Sequence, residues 1–308
     1  MKIAIVGAGG VGGYFGGLLA RAGHEVSFLA RGEHLRAIRR DGLLVRSSTH
    51  GEFGVRPAQA EEDPARVGPA EYVIVAVKTY HLEATAPTLR PLVGEGTAVI
   101  PLLNGVMAHE ILLEHLPKEA VVGGLCGVFS QIEAPGVIRM EGRLRWIAVG
   151  ELEGPPSPRL DRIVEAWKAE GVDATQSDDI LAAIWVKFLF IASAGGVTSL
   201  ARVPVAAVRA DEETRVVLAA AFAEVEAVAR AQGIRLPADV VEKTTKMVDG
   251  LEPEVTTSMQ RDVATGRVFE LEAFSGTIVR LGRRLGVPTP VHAAIYALLR
   301  PQLRAAGG

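Results

Sequence analysis

Short apolar runs set the rhythm of the first half of the chain. "KIAIV" (2–6), "HEVSFLAR" (24–31), "EYVIVAV" (71–77) and "TAVIPLL" (97–103) read as strands. The last two are continuous apolar runs, of the kind that belongs to strands buried on both faces. Helical spacing fills the gaps: residues 11–22 closed by Gly23, "EHLRAIRR" (33–40), and a segment near 80–92. "GLLVRSSTHGEFGVRP" (42–57) alternates around Thr49-His50-Gly51 and predicts a hairpin. Strands alternating with helices predict a mostly parallel, helix-covered sheet. The pattern then changes. Residues 121–151 read as short strands and turns, and "GPPSP" (154–158) leads into a helix near 158–170. Past residue 178 nearly everything is helical. One helix spans 211–232, with Asp211 as N-cap and Gly233 as its stop, and Pro237, Pro253, Pro288 and Pro290 divide the rest. The predicted organisation is an α/β domain over 1–177 and an all-α domain over 178–308, without internal repeats or low-complexity segments.

Composition narrows the function classes. A net charge of −3 argues against a partner with a phosphate backbone, so no nucleic acid is expected. The single cysteine, Cys126, excludes an internal disulfide and suits a reducing compartment. Without an evident activating base it reads as a buried or inert thiol. Met1-Lys2 runs straight into a strand, with no charged region and apolar stretch of a signal peptide, so the expected location is the cytoplasm. The longest apolar stretch, 180–197, is interrupted by Lys187 and weakened by Gly195 and Gly196, and reads as a buried core helix rather than a membrane span. The helix at 211–232 packs either internally, the favoured reading, or in a homodimer. "HEILLEH" (109–115) has Leu113 where a zinc motif needs histidine, and Ile191 breaks a G-x-S-x-G around Ser193.

"GAGGVGG" (7–13) follows the first strand and opens the first helix. Gly7, Gly9 and Gly12 fit G-x-G-x-x-G, the turn of a Rossmann-type dinucleotide site. Its glycines serve the tight turn, the approach of a pyrophosphate, and close helix–strand packing. The helix N-terminus offers free N–H groups to the phosphates. Gly7, Ala8, Gly9, Gly10, Val11 and Gly12 are therefore the candidate cofactor turn, and Gly13, Gly16 and Gly17 are assigned to close helix packing. NAD sites place an acidic residue at the end of the second strand; here Ala30-Arg31 stand there. A guanidinium suits a 2′-phosphate, so the preferred cofactor is NADP (NADPH), the alternative being that Arg31 is a solvated loop charge.

Two further strand ends carry polar residues: Lys78 after "VIVAV" and Asn104 after "VIPLL". In open α/β sheets ligands bind beyond the carboxyl ends of strands, so both point to a cofactor crevice; otherwise they are a helix-start lysine and a turn former. Lys187 sits among Leu181, Ile184, Trp185, Phe188 and Leu189, and must snorkel, pair with a carboxylate or do chemistry. Desolvation moves a lysine toward use as a general acid. Glu270 and Glu272 in "FELEAFSG" are possible partners, and Ser258 lies in "TTSMQRD".

The ordered set "GAGGVGG", "FLAR", "VAVKTY", "LLNGV", "WVKFL", "TSMQRD" and "FELEAFSGTIVRLGRRLGVPTP" resembles the ketopantoate reductases (2-dehydropantoate 2-reductases) across nearly the whole chain. The resemblance implies a Rossmann domain followed by a helical domain, with the active site in the cleft between them. It implies reduction of 2-dehydropantoate to D-pantoate by NADPH, on the route to pantothenate and coenzyme A. It also implies roles: Lys187 as proton donor, Glu270 beside it and the cofactor, and Asn104 between cofactor and substrate. Ser258 would bind substrate, Lys78 would be the lysine after the third nucleotide-binding strand, and Ser130 would fall near a backbone contact to the nicotinamide. One departure concerns the substrate. The family commonly shows Lys-x3-Asn-x3-Asn, whereas this chain has Lys187, Ile191 and Gly195. Either Ser193, Thr198 or Ser199 replaces those contacts, or the substrate is a different 2-oxo acid. The alternative in another class is an NADPH-binding sensor without turnover.

Overall fold

The computed structural model describes residues 1–56 and 59–307; Pro57, at the end of the predicted hairpin, and Gly308, at the end of the predicted helical domain, lie outside the described residues. The chain divides into two units, Met1–Ile180 and Leu181–Gly308.

The first unit runs β1 (Lys2–Val6), α1 (Gly10–Arg21), β2 (Glu25–Leu29), α2 (Gly32–Asp41), β3 (Leu43–Ser47), β4 (Gly51–Val55), β5 (Gln59–Glu61), β6 (Ala70–Val75), α3 (Leu82–Thr85), β7 (Val93–Pro101), α4 (Ala108–Leu113), β8 (Gly123–Ala134), β9 (Val137–Gly150), α5 (Pro158–Ala169) and β10 (Asp173–Gln176). One sheet has the order β5-β2-β1-β6-β7, and every pair in it is parallel. It is the Rossmann-type sheet the apolar runs predict. Successive residues of β1 face opposite cores. Ile3 and Ile5 pack with Phe15 and Leu18 of α1, while Ala4 and Val6 pack with Val73, Val75 and Val99. Each fully buried isoleucine contributes about 1.5–3 kcal/mol.

A second sheet, β10-β9-β3-β4 with β8 paired to β9, covers the other side of α1. The glycines of α1 follow from this. A Cβ at Gly16 would lie 2.6 Å from Ile5 Cγ1 of the first sheet, whereas one at Gly13 would lie 2.7 Å from Ile138 Cγ1 and one at Gly17 3.0 Å from Val45 Cγ2, both in the second. The helix is thin because it is covered by sheets on two sides.

Two expectations are corrected. Residues 121–151 are not short strands: β8 and β9 are a 12- and a 14-residue strand paired antiparallel from Gly123–Gly150 to Ala134–Val137. Gly123 and Gly127 suggest turns in the sequence, but here they admit Ile180 and the Trp146 ring against the strand. The segment near 80–92 is not one α-helix. It is a 3-10 turn (Thr79–His81), the single α-turn α3, and a further 3-10 stretch (Ala86–Leu92). Pro87 and Pro91 lack the N–H that an α-helix would require there. The β3–β4 hairpin and the buried state of Cys126 match the expectation.

The second unit contains α6 (Ile180–Ala201, beginning at the unit boundary), α7 (Val205–Ala210), α8 (Glu212–Ala231), α9 (Val240–Asp249), α10 (Ser258–Ala264), α11 (Thr277–Leu285) and α12 (Pro290–Ala305). By length and composition α6 could cross a membrane, but 61% of its most apolar window is buried, as in a core helix. Asp211 caps α8 by accepting from Thr214 N at 2.9 Å. Glu224 of α8 caps α12, accepting from Val291 N (2.7 Å) and His292 N (2.9 Å); burial raises its pKa, and the two N–H bonds oppose that rise. His292 is fully buried, and desolvation lowers its pKa to about 4, so the ring is neutral near pH 7. It contacts Ser275 Oγ (3.1 Å), the Ala221 carbonyl (3.2 Å) and Ser193 Oγ (3.5 Å), which ties α6 and α8 to the segment before α11.

Candidate active site

Four parallel strands of the first unit end at one level. Gly7 N and Ala8 N both donate to Leu29 O (3.0 and 3.2 Å), Ala76 N to Val6 O (2.8 Å), and Leu102 N to Val75 O (2.8 Å). The candidate residues Gly7–Gly12, Arg31, Lys78 and Asn104 all follow these ends.

The three glycines have three different surroundings. Gly7 has φ +94°, a left-handed conformation that a side chain disfavours, and a Cβ there would lie 2.9 Å from Val77 Cγ1. At Gly12 a Cβ would lie 2.2 Å from the Gly7 carbonyl, so helix and turn are in direct backbone contact. Around the Cβ position of Gly9 nothing lies within 4 Å. Gly9 is also the N-cap of α1, with no side-chain cap and no acidic residue in the first turn. The first N–H groups of a helix have no intrahelical partner, and their dipole favours an anion. The open face at Gly9 therefore leaves room for an anionic group beside the helix start.

β8 brings Ser130 to this turn. Its carbonyl lies 2.3 Å from where a Cβ of Gly10 would stand. The Ser130 hydroxyl is buried and has no hydrogen-bond partner among the described residues. A buried hydroxyl without a partner is costly, so it suits a ligand that supplies one. Arg31 is exposed at the N-cap of α2, and no described residue accepts from its guanidinium. An open phosphate turn, an orphaned hydroxyl and an uncommitted guanidinium together fit a dinucleotide. Lys78 is exposed and Asn104 half-buried, the latter just before Gly105 at φ +86°.

His34 is the residue that sequence reasoning missed. Gly136 N donates to its Nδ1 (3.0 Å), which puts the proton on Nε2, and Nε2 donates to the Ala8 carbonyl (2.8 Å). It joins the β8–β9 turn to the glycine turn. Burial lowers its pKa, favouring the neutral ring this geometry needs. A histidine early in a polar helix carries no sequence signal for that role.

The remaining candidates lie in the second unit. Lys187 is half-buried on α6, and Ser258 opens α10 behind its N-cap Thr257. Glu270, 6% exposed, stands two residues before a π-helical turn (Glu272–Gly276). Such turns recur at functional sites. Two segments pack against α6. Phe274 packs edge-on against Phe188, next to Lys187 in sequence, with centroids 6.1 Å apart, and both Phe274 and Met259 flank Gly195. The three hydroxyls considered as replacements for asparagine are buried and engaged. Thr198 Oγ1 donates to Ala194 O and Ser199 Oγ to Gly195 O, each at 2.6 Å, while Ser193 lies against His292.

Family models match both parts of this architecture: "Ketopantoate reductase PanE/ApbA" over residues 3–154 and "Ketopantoate reductase PanE/ApbA C terminal" over 179–302. The chain belongs to the ketopantoate reductase family. It is 32% identical to a 2-dehydropantoate 2-reductase of Mesorhizobium japonicum over 97% of both chains. It is 31% identical to YkpB of Bacillus subtilis, named an uncharacterized oxidoreductase, over 97% of this chain and 98% of that one. The crystal structure of a PanE/ApbA family ketopantoate reductase from Ralstonia eutropha JMP134 matches with a TM-score of 0.90 at 30% identity, over the full length of both chains. Membership in this reductase family makes the protein an oxidoreductase with Rossmann-type NAD(P) binding.

Proposed function

We infer that the protein reduces the C2 carbonyl of a small 2-oxo acid with NADPH; the family's own reaction, 2-dehydropantoate to D-pantoate, is the reference case. The observation that carries the reading is the open glycine turn at Gly9 beside the orphaned Ser130 hydroxyl. Residues 1–177 hold the nucleotide: the turn binds the pyrophosphate and Arg31 the 2′-phosphate, with Lys78 and Asn104 beside the nicotinamide. Residues 178–308 carry the groups that act on substrate. When bound, NADPH supplies the hydride for C2. Lys187, as ammonium, donates a proton to the oxygen on C2 as negative charge develops there. The buried carboxylate of Glu270 keeps that ammonium charged and in place, Asn104 orients the carbonyl, and Ser258 binds the acid. A second reading, a 2-oxo acid other than 2-dehydropantoate, is favoured by Ile191 and Gly195 on the Lys187 face and by the engaged hydroxyls of Ser193, Thr198 and Ser199.

The test is nucleotide consumption by the purified protein with a panel of 2-oxo acids. Turnover is expected with NADPH in preference to NADH. Arg31→Ala should weaken NADPH by about 10–100-fold, the scale of a charged hydrogen bond, and leave NADH unchanged. Equal losses for the two nucleotides would refute the 2′-phosphate role.

A further inference from the structure

Lys187, Ile191 and Gly195 stand at i, i+4 and i+8 of α6 and so share one face. At 1.5 Å per residue, Ile191 lies about 6 Å and Gly195 about 12 Å along the helix from Lys187. Neither offers a side-chain donor or acceptor.

Packing does not demand the glycine at 195. A Cβ there would meet Met259 Cβ at 3.7 Å and the Phe274 ring at 3.8 Å, which are ordinary contacts. The neighbouring Gly196 is different, because a Cβ there would lie 2.8 Å from Ile295 Cγ2. Glycine is among the poorest helix formers, yet it occupies 195 in the middle of a 22-residue helix without relieving a clash. Its effect is to leave this face of the helix without a side chain. Its neighbours there are Phe274, itself packed on Phe188, and Met259, both hydrocarbon at the point of contact. The adjacent hydroxyls do not serve it: Thr198 and Ser199 donate to carbonyls of their own helix, and Ser193 is buried against His292. The face leading away from the proton donor is hydrocarbon.

We propose that Ile191 and Gly195 set the substrate class: a 2-oxo acid whose substituent beyond C2 is a branched or aromatic hydrocarbon with no hydroxyl at its far end. This rests on the reading of the protein as a 2-oxo acid reductase with Lys187 as donor. A hydroxyl buried against this face would give up its water partners and find none on the side chains of Ile191, Met259 and Phe274. An aromatic or branched hydrocarbon packed against this face would pay no such cost.

The test uses two acids that differ by one hydroxyl, 3,3-dimethyl-2-oxobutanoate and its 4-hydroxy derivative, 2-dehydropantoate. With the unaltered protein, kcat/KM is expected to favour the hydrocarbon acid by about 10–100-fold, the scale on which apolar pockets reject a hydroxyl. Gly195→Asn, which restores an amide to the face, should shrink or reverse that ratio. Equal or better use of the hydroxylated acid by the unaltered protein overturns this inference and leaves the reductase reading standing. Failure to reduce any 2-oxo acid overturns both. If Gly195→Asn does not fold, the unaltered protein's ratio decides alone.

Discussion

Replacing Lys187 with alanine is expected to cost about 10²–10⁴-fold in kcat, the usual worth of a positioned general acid, while the Kd for NADPH stays unchanged. The separation follows from placement. Lys187 lies on α6 in the Leu181–Gly308 unit, whereas the turn, Ser130 and Arg31 that fit the nucleotide all lie in Met1–Ile180. Lys187→Arg should rescue little, because a guanidinium keeps the charge but does not release its proton. Steady-state kinetics beside a fluorescence titration with NADPH reads both quantities. Undiminished turnover in the alanine variant would remove Lys187 from the chemistry.

The second large effect separates two glycines three residues apart. Gly12→Ala puts a methyl 2.2 Å from the Gly7 carbonyl, a backbone atom, so α1 must move off the turn. Forcing a group into such a contact costs about 1–3 kcal/mol, and both Tm and NADPH affinity should fall. Gly9→Ala meets nothing within 4 Å in the protein, so its stability loss should stay near that of a poorer N-cap, about 1 kcal/mol or less. Its NADPH affinity should still fall by about 10-fold or more, because the methyl stands where the pyrophosphate needs bare backbone. Thermal denaturation and NADPH titration of the two variants give the comparison. A Gly9→Ala protein that binds NADPH like the parent would show that the phosphates do not approach that face.

Much of the nucleotide half is legible in the sequence because its signals are local. β1, the glycine turn and α1 are contiguous, and the open surroundings of Gly9 against the crowded ones of Gly12 follow the motif's separate roles. The second sheet is not legible, since β9 collects β3, β8 and β10 from three separate stretches. Nothing local to residues 121–151 reveals strands of 12 and 14 residues. His34 is hidden for the same reason: its meaning lies in Ala8 and Gly136, 26 and 102 residues away. In the helical half, periodicity marks Lys187 as anomalous in an apolar helix but cannot gather Met259 and Phe274 around Gly195. Pattern alone also could not show that Ser193, Thr198 and Ser199 are engaged, since helix spacing does not say which hydroxyl turns back to its own backbone.

The most direct measurement is isotope transfer: NADPH deuterated at the transferable position of the nicotinamide, incubated with the protein and the 2-oxo acid it uses best, with the product examined by mass spectrometry and NMR. The account predicts one deuterium on C2 of the resulting 2-hydroxy acid for each NADPH consumed. Tight NADPH binding without deuterium in any product would contradict it, and would make the protein a binder of the nucleotide rather than a reductase.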